Sequence, residues 1–212
     1  MTAMLAGATG LVGRELAAQW AGPGELHLLV RRAVPAAGPL QRVQVVDFAR
    51  LPALPAAEAA FCCLGTTIKV AGSQAAFRVV DFDAVLAFAQ AARAAGVRRF
   101  ALVSSLGASP RSSNFYSRVK GEAEVAVAAL GFESLVIVRP SLLTGDRAAL
   151  GQPPRTGERL IQALAVPLGI LLPAAWRPIS AATVACAMLR AVAQAAPGRH
   201  VFESAALQSL GR

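Results

Sequence analysis

The stretch GATGLVGREL, residues 7–16, sets glycines at positions 7, 10 and 13, ahead of a segment that otherwise reads as a helix. Glycine weakens a helix by about 1 kcal/mol relative to alanine, so this spacing calls for a compensating role. Its setting supplies one. Upstream, TAMLA is a short apolar run with the character of a buried strand, and downstream RELAAQW continues as a helix. A glycine-rich turn between a first strand and a first helix is the setting of a dinucleotide-binding fingerprint. In that reading Gly7 allows the tight turn, Gly10 lets a pyrophosphate approach the backbone, and Gly13 lets the helix pack on the sheet; Thr9, Leu11 and Val12 complete the cradle. The anion sits at the helix N-terminus, where free N–H groups and the helix dipole favour it. The spacing is GxxGxxG rather than the commoner GxGxxG, and close helix packing is the competing explanation.

The rest of the chain alternates in the same way. ELHLLVRR (25–32), VQVVDF (43–48), AAFCCLG (59–65), RRFALVSS (98–105) and SLVIVRP (134–140) read as strands, with HVFES (200–204) as a further candidate. Helical patterns cover 73–95, ended by Gly96, then 114–130, 158–171 and 181–193. Continuous apolar strands alternating with helices predict an α/β fold, a doubly wound parallel sheet with helices on both faces and right-handed crossovers. At 212 residues the chain is expected to form one domain, 1–212, with 141–180 as a substrate-side lid and helix within it.

Composition excludes several function classes. The net charge is +9, but 19 of the 21 basic residues are arginines dispersed through the chain, with no basic stripe interleaved with aromatics. Nucleic acid is therefore not an expected partner. Cys62 and Cys63 are adjacent, Cys186 stands alone, and His27 and His200 are isolated, so neither a disulfide framework, a metal site nor a histidine-activated nucleophile is indicated. The N-terminus lacks a basic segment followed by a continuous apolar core, which gives the cytoplasm as the expected location. The apolar run at 160–176 is short for a membrane span and is broken by Pro167 and Pro173. A small-molecule substrate is the expected partner, and a homo-oligomer is left open.

Two features refine the site. Where an NAD-binding strand usually ends in Asp or Glu, the second strand here ends in Arg31 and Arg32. Guanidinium groups grip the 2′-phosphate of NADP, whereas a carboxylate repels it; an arginine-rich solvated loop is the competing explanation. Asp47, at the end of the third strand, is placed either to approach an adenine or to form a turn. The second feature is YSRVK, residues 116–120. The chain has one tyrosine and two lysines, and Lys120 follows Tyr116 by four residues, on one helix face. An ammonium beside a phenol stabilises the phenolate and equips the pair for proton transfer, unless the two are simply an exposed pair. Ser105 ends the strand RRFALVSS, where strand ends face a ligand crevice. Strict alternation puts Ser104 on the opposite face, with a one-residue slip as the alternative.

GATGLVG, the VSS strand, YSRVK and the RP at 139–140 together resemble the short-chain dehydrogenase/reductase superfamily; SSNFYSRVKGEAE and CCLGTT are similar to its atypical branch. That branch includes Tat-interacting oxidoreductase-like proteins and bacterial nucleoside-diphosphate-sugar epimerase-like proteins. The resemblance implies a Rossmann fold, NADP(H) as cofactor, and a Ser105, Tyr116, Lys120 group in which Tyr116 exchanges a proton with the oxygen of a small carbonyl or alcohol substrate. It further implies that Leu64, Gly65, Thr66 and Thr67 cover the cofactor and that Lys120, Pro140 and Ser141 border its nicotinamide end. The larger family's Asn-Ala-Gly loop is absent, so its supporting Asn is not assigned. The branch also contains NADP(H)-binding regulators, the alternative to an enzyme. The Gly-, Pro- and Arg-rich segment 144–159, with Arg147, Arg155 and Arg159, is expected to be a mobile lid.

Overall fold

The computed structural model describes residues 1–145, 173, 175–194 and 196–212. The arginines of the expected lid and the expected helix at 158–171 therefore lie outside the described residues. The sheet contains β1 (Ala3–Ala6), β2 (Leu26–Val30), β3 (Gln41–Val45), β4 (Ala59–Cys62), β5 (Arg99–Val103), β6 (Ser134–Arg139) and β9 (Gly198–Glu203). Their order is β3-β2-β1-β4-β5-β6-β9, and every pairing is parallel. The order reverses between β1 and β4, and the crevice outside the carboxyl ends of such a pair is where ligands bind in open α/β sheets.

The strand residues alternate between two apolar layers. Ala3, Leu5, Leu28, Phe61, Ala101 and Val136 face α1 (Leu11–Ala18) and α6 (Ala181–Gln194), which contribute Leu16, Val184 and Met188. Met4, Leu29, Cys62, Phe100 and Ile137 face the opposite layer, where α4 (Ala84–Ala94) supplies Phe88 and α5 (Phe115–Ala128) supplies Val127. A strand buried on both faces has no polar side to alternate with, which explains the continuous apolar runs in the sequence. Each fully buried Leu, Ile or Phe contributes about 1.5–3 kcal/mol relative to exposure.

The segment read as one helix over 73–95 contains a local change of winding. After α2 (Ile68–Ala71), α3 (Gln74–Arg78) leads into a π-helical turn at Val79–Asp83, and α4 follows. Such a wide turn inserts extra backbone into a helix and is often found at functional sites. Two short strands, β7 (Leu143–Thr144) and β8 (Ile179–Ser180), pair with each other, and α7 (Ser204–Leu210) follows β9.

Candidate active site

The glycine turn is held by close backbone packing. Gly7 has φ +86°, and a Cβ there would stand 2.5 Å from the Cys63 carbonyl carbon. A Cβ on Gly13 would stand 2.1 Å from the Gly7 carbonyl oxygen. Both glycines are thus required by the chain itself, Gly7 for the turn and Gly13 for packing. Gly10 differs. A Cβ there would meet nothing closer than Gly7 O at 3.4 Å, and its φ of −83° suits any residue. Close packing of the kind that requires Gly7 and Gly13 is absent at Gly10. Gly10 is also the N-cap of α1 without a side-chain cap, so the first N–H groups of α1 face the turn, as an anion site requires.

A cleft of about 720 Å³ opens beside this turn, lined among others by Thr9, Leu11, Arg14, Val34, Gln41 and Gly145. Arg31 and Arg32 follow β2 and are exposed. Asp47 is exposed, and its Oδ1 accepts the Ala49 N–H at 2.9 Å, so it forms a turn.

On the other side of the reversal point, three elements meet around a buried ion pair. The Lys120 ammonium on α5 lies 2.7 Å from Asp81 Oδ1 on the π-helical turn, with side chains 6% and 0% exposed. The second carboxylate oxygen of Asp81 accepts the Thr66 N–H at 2.8 Å, tying down the segment after β4. Gly65 covers the pair so closely that a Cβ there would lie 3.3 Å from Asp81 Oδ1 and 3.4 Å from Lys120 Nζ. Thr67 accepts the Val70 N–H and caps α2. Burial by itself would push the Lys120 pKa down, but the Asp81 charge, Tyr116 and the hydrogen bond to Asp81 outweigh it and leave the pKa raised above the ordinary 10.5.

Asp81 is the member of this group that the sequence reading missed. A signal was present. Phe77, Val85 and Phe88 form the buried stripe of this helical stretch, and Asp81, four residues from both Phe77 and Val85, sits in the same stripe. A charge on an apolar stripe is buried only if paired.

Tyr116 lies in the first turn of α5, which Asn114 caps by accepting the Ser117 N–H. Its ring packs at 5.3 Å on the buried Phe77. Ser105 lies just past the end of β5, and its carbonyl accepts the Ala108 N–H; the next residue, Ser109, donates its N–H to Ser117 O on α5. Gly121 lets this loop lie directly on α5, since a Cβ would fall 2.2 Å from the Ser109 carbonyl carbon. The hydroxyls of both Ser104 and Ser105 are shielded from solvent and have no partner among the described residues. The alternation used to separate the two serines does not extend to them, because regular strand ends at Val103. Pro140 is buried and its carbonyl accepts the Leu106 N–H, while Ser141 donates to Arg177 O and pairs with Ser204. One turn beyond Lys120, Glu124 binds Arg139 through two hydrogen bonds of 2.9 and 2.6 Å, anchoring α5 to the end of β6.

A family model described as NAD(P)H-binding matches residues 7–195. The chain is 38% identical over 177 residues to protein HTATIP2 of Rattus norvegicus, which covers 80% of this chain and 69% of that protein. It is 36% identical over 155 residues to "Protein FMP52, mitochondrial" of Debaryomyces hansenii, covering 69% of each. That name gives the yeast protein a mitochondrial location, unlike the cytoplasm expected here. Among solved structures, MoeE5 in complex with UDP-glucose and NAD aligns with a TM-score of 0.73 at 17% identity, over 95% of this chain and 75% of that one. The oxidoreductase ylbE from Lactococcus lactis aligns at 0.68 and 19% identity, over 99% and 96%. These two likenesses establish the Rossmann fold. Among the described residues no helix is long and apolar enough to cross a membrane.

Proposed function

The chain belongs to the NAD(P)H-binding family matched over residues 7–195, and on that premise we propose that it is an NADP(H)-dependent oxidoreductase acting on a small carbonyl or alcohol. The observation that carries the reading is the shielded, unpartnered Ser105 hydroxyl, joined through a short loop to the helix that bears Tyr116 and Lys120. A shielded hydroxyl without a protein partner is the exception in a folded chain and suits a ligand oxygen.

The residues present fit the dinucleotide. Gly10, with no packing reason to lack a side chain, and the N-terminus of α1 would receive the pyrophosphate, with Thr9, Leu11 and Val12 beside it. Arg31 and Arg32 would hold the 2′-phosphate, and Leu64 to Thr67 together with Pro140 would border the cofactor. NADP(H), when bound, supplies or accepts the hydride. Tyr116 gives its phenolic proton to the substrate oxygen in reduction and recovers it in oxidation. Ser105 donates a hydrogen bond to the same oxygen and orients it. Lys120 keeps N–H donors beyond the one directed at Asp81, and these serve Tyr116 and the cofactor ribose.

Two outcomes test the cofactor half of this reading. NADPH should bind at least tenfold tighter than NADH, about 1.4 kcal/mol or more, and changing Arg31 and Arg32 together to Ala should abolish the preference. Equal affinities in the unmodified protein would reject it. Gly10→Ala should change thermal stability little, about 1 kcal/mol, yet weaken NADPH at least tenfold, whereas Gly13→Ala should lower stability markedly because its Cβ overlaps backbone. Isothermal titration beside thermal unfolding separates the two effects. Unchanged NADPH affinity in Gly10→Ala would remove the pyrophosphate from this turn.

A further inference from the structure

We propose that Asp81 is a positioning residue of the site, holding the Lys120 ammonium charged beside Tyr116 through one carboxylate oxygen and fixing the Gly65–Thr66 backbone through the other. Three observations support it. Asp81 is fully buried, which a carboxylate tolerates only when its charge is compensated, and here the Lys120 ammonium stands 2.7 Å from Oδ1 while Oδ2 accepts the Thr66 N–H. It sits on the π-helical turn, the one change of winding in the stretch from α3 to α4, so the wider turn falls where the carboxylate meets α5. Gly65 lies against the pair, with both charged groups within about van der Waals contact of where its Cβ would stand.

The physical effect follows from the balance at Lys120. A buried ammonium without a counter-charge loses its proton readily, by as much as several pKa units in the extreme. The groups that act on this one are Asp81 from the π-helical turn, Tyr116 from its own helix, and Cys62 from β4, whose thiol burial pushes up to about 12. Burial keeps the Cys62 thiol protonated, and the Asp81 charge is the strongest influence that raises the Lys120 pKa. It holds Lys120 above the ordinary 10.5. Without that charge, Lys120 would neutralise with rising pH and its service to Tyr116 and the ribose would fail in step.

This role in turnover rests on the reading of Tyr116 and Lys120 given above, and the test separates the two. The chain has two lysines, Lys69 being exposed, so a 13C-lysine-labelled protein gives two sets of side-chain signals, assigned with Lys69→Arg. In the unmodified protein Lys120 should titrate above the ordinary lysine value of 10.5. In Asp81→Asn it should titrate at least about one unit below that value, and Asp81→Glu should restore the high value. In parallel, the kcat/KM deficit of Asp81→Asn relative to the unmodified protein should widen at least threefold between pH 6 and pH 10. A purely structural role would give a deficit independent of pH. A Lys120 signal in Asp81→Asn that still titrates above 10.5, or a pH-independent deficit, would overturn the proposal. If Asp81→Asn does not fold, the unmodified protein decides: Lys120 titrating at or below 10.5 overturns it. If no carbonyl is turned over, the oxidoreductase reading fails while the Lys120 titration still judges the role of Asp81.

Discussion

Tyr116→Phe is expected to bind NADPH with unchanged affinity and to reduce its carbonyl substrate roughly 10²-fold more slowly or worse, since general acid catalysis contributes about that much. The substitution is clean for a structural reason. The Tyr116 ring packs against Phe77 at the first turn of α5, and phenylalanine preserves that contact. Helix capping by Asn114 and the Lys120–Asp81 pair do not involve the phenolic oxygen. Turnover should therefore fall without loss of fold or cofactor. Stopped-flow reduction and direct NADPH titration on the same preparation make the comparison, and undiminished reduction would reject Tyr116 as the proton donor.

Lys120→Ala should have the largest effect on the fold. Removing one partner of a buried pair typically destabilises by about 3–5 kcal/mol, because the other charge is left without compensation. Here that charge is Asp81, which would retain only the Thr66 N–H. For a chain of this length the loss corresponds to a fall in Tm of roughly 6–20 °C. NADPH affinity and turnover should fall together, unlike in Tyr116→Phe. The sign of the pH dependence is fixed by the raised Lys120 pKa. A group that holds its proton more tightly when folded contributes stability that is fully present below its unfolded pKa and is lost as pH rises through the folded one. The unmodified protein should therefore carry an alkaline loss of stability beginning near the ordinary lysine value of 10.5, and that component should be missing from Lys120→Ala. Denaturant melts of both proteins from pH 7 to pH 11 check it, and equal stability at pH 7 would contradict the buried pair.

The sheet was legible because its strands are buried on both faces, so each appears as an unbroken apolar run, and because Gly7 and Gly13 mark a turn that backbone sterics impose. The pairing of Tyr116 with Lys120 was legible as an i, i+4 spacing on a helix. What escaped notice has physical causes. A π-helical turn inserts itself without breaking the apolar stripe, so residues 73–95 read as one uniform helix, and Asp81 was not singled out although Phe77 and Val85 flank it on the buried face. Alternation was applied to Ser104 and Ser105, yet regular strand ends one residue earlier, where the rule no longer holds. The turn made by Asp47 depends on a local side-chain to backbone bond, which residue type alone does not fix.

The most direct test of the account is transfer of label from NADPH deuterated at C4 of its nicotinamide to a panel of aldehydes, ketones and quinones, read by mass spectrometry of the products with Tyr116→Phe as control. The account predicts deuterium on the former carbonyl carbon of at least one alcohol product, with transfer lowered roughly 10²-fold in the variant. NADPH bound tightly in direct titration, with no deuterium delivered to any member of the panel, would contradict it and leave a cofactor-binding regulator in its place.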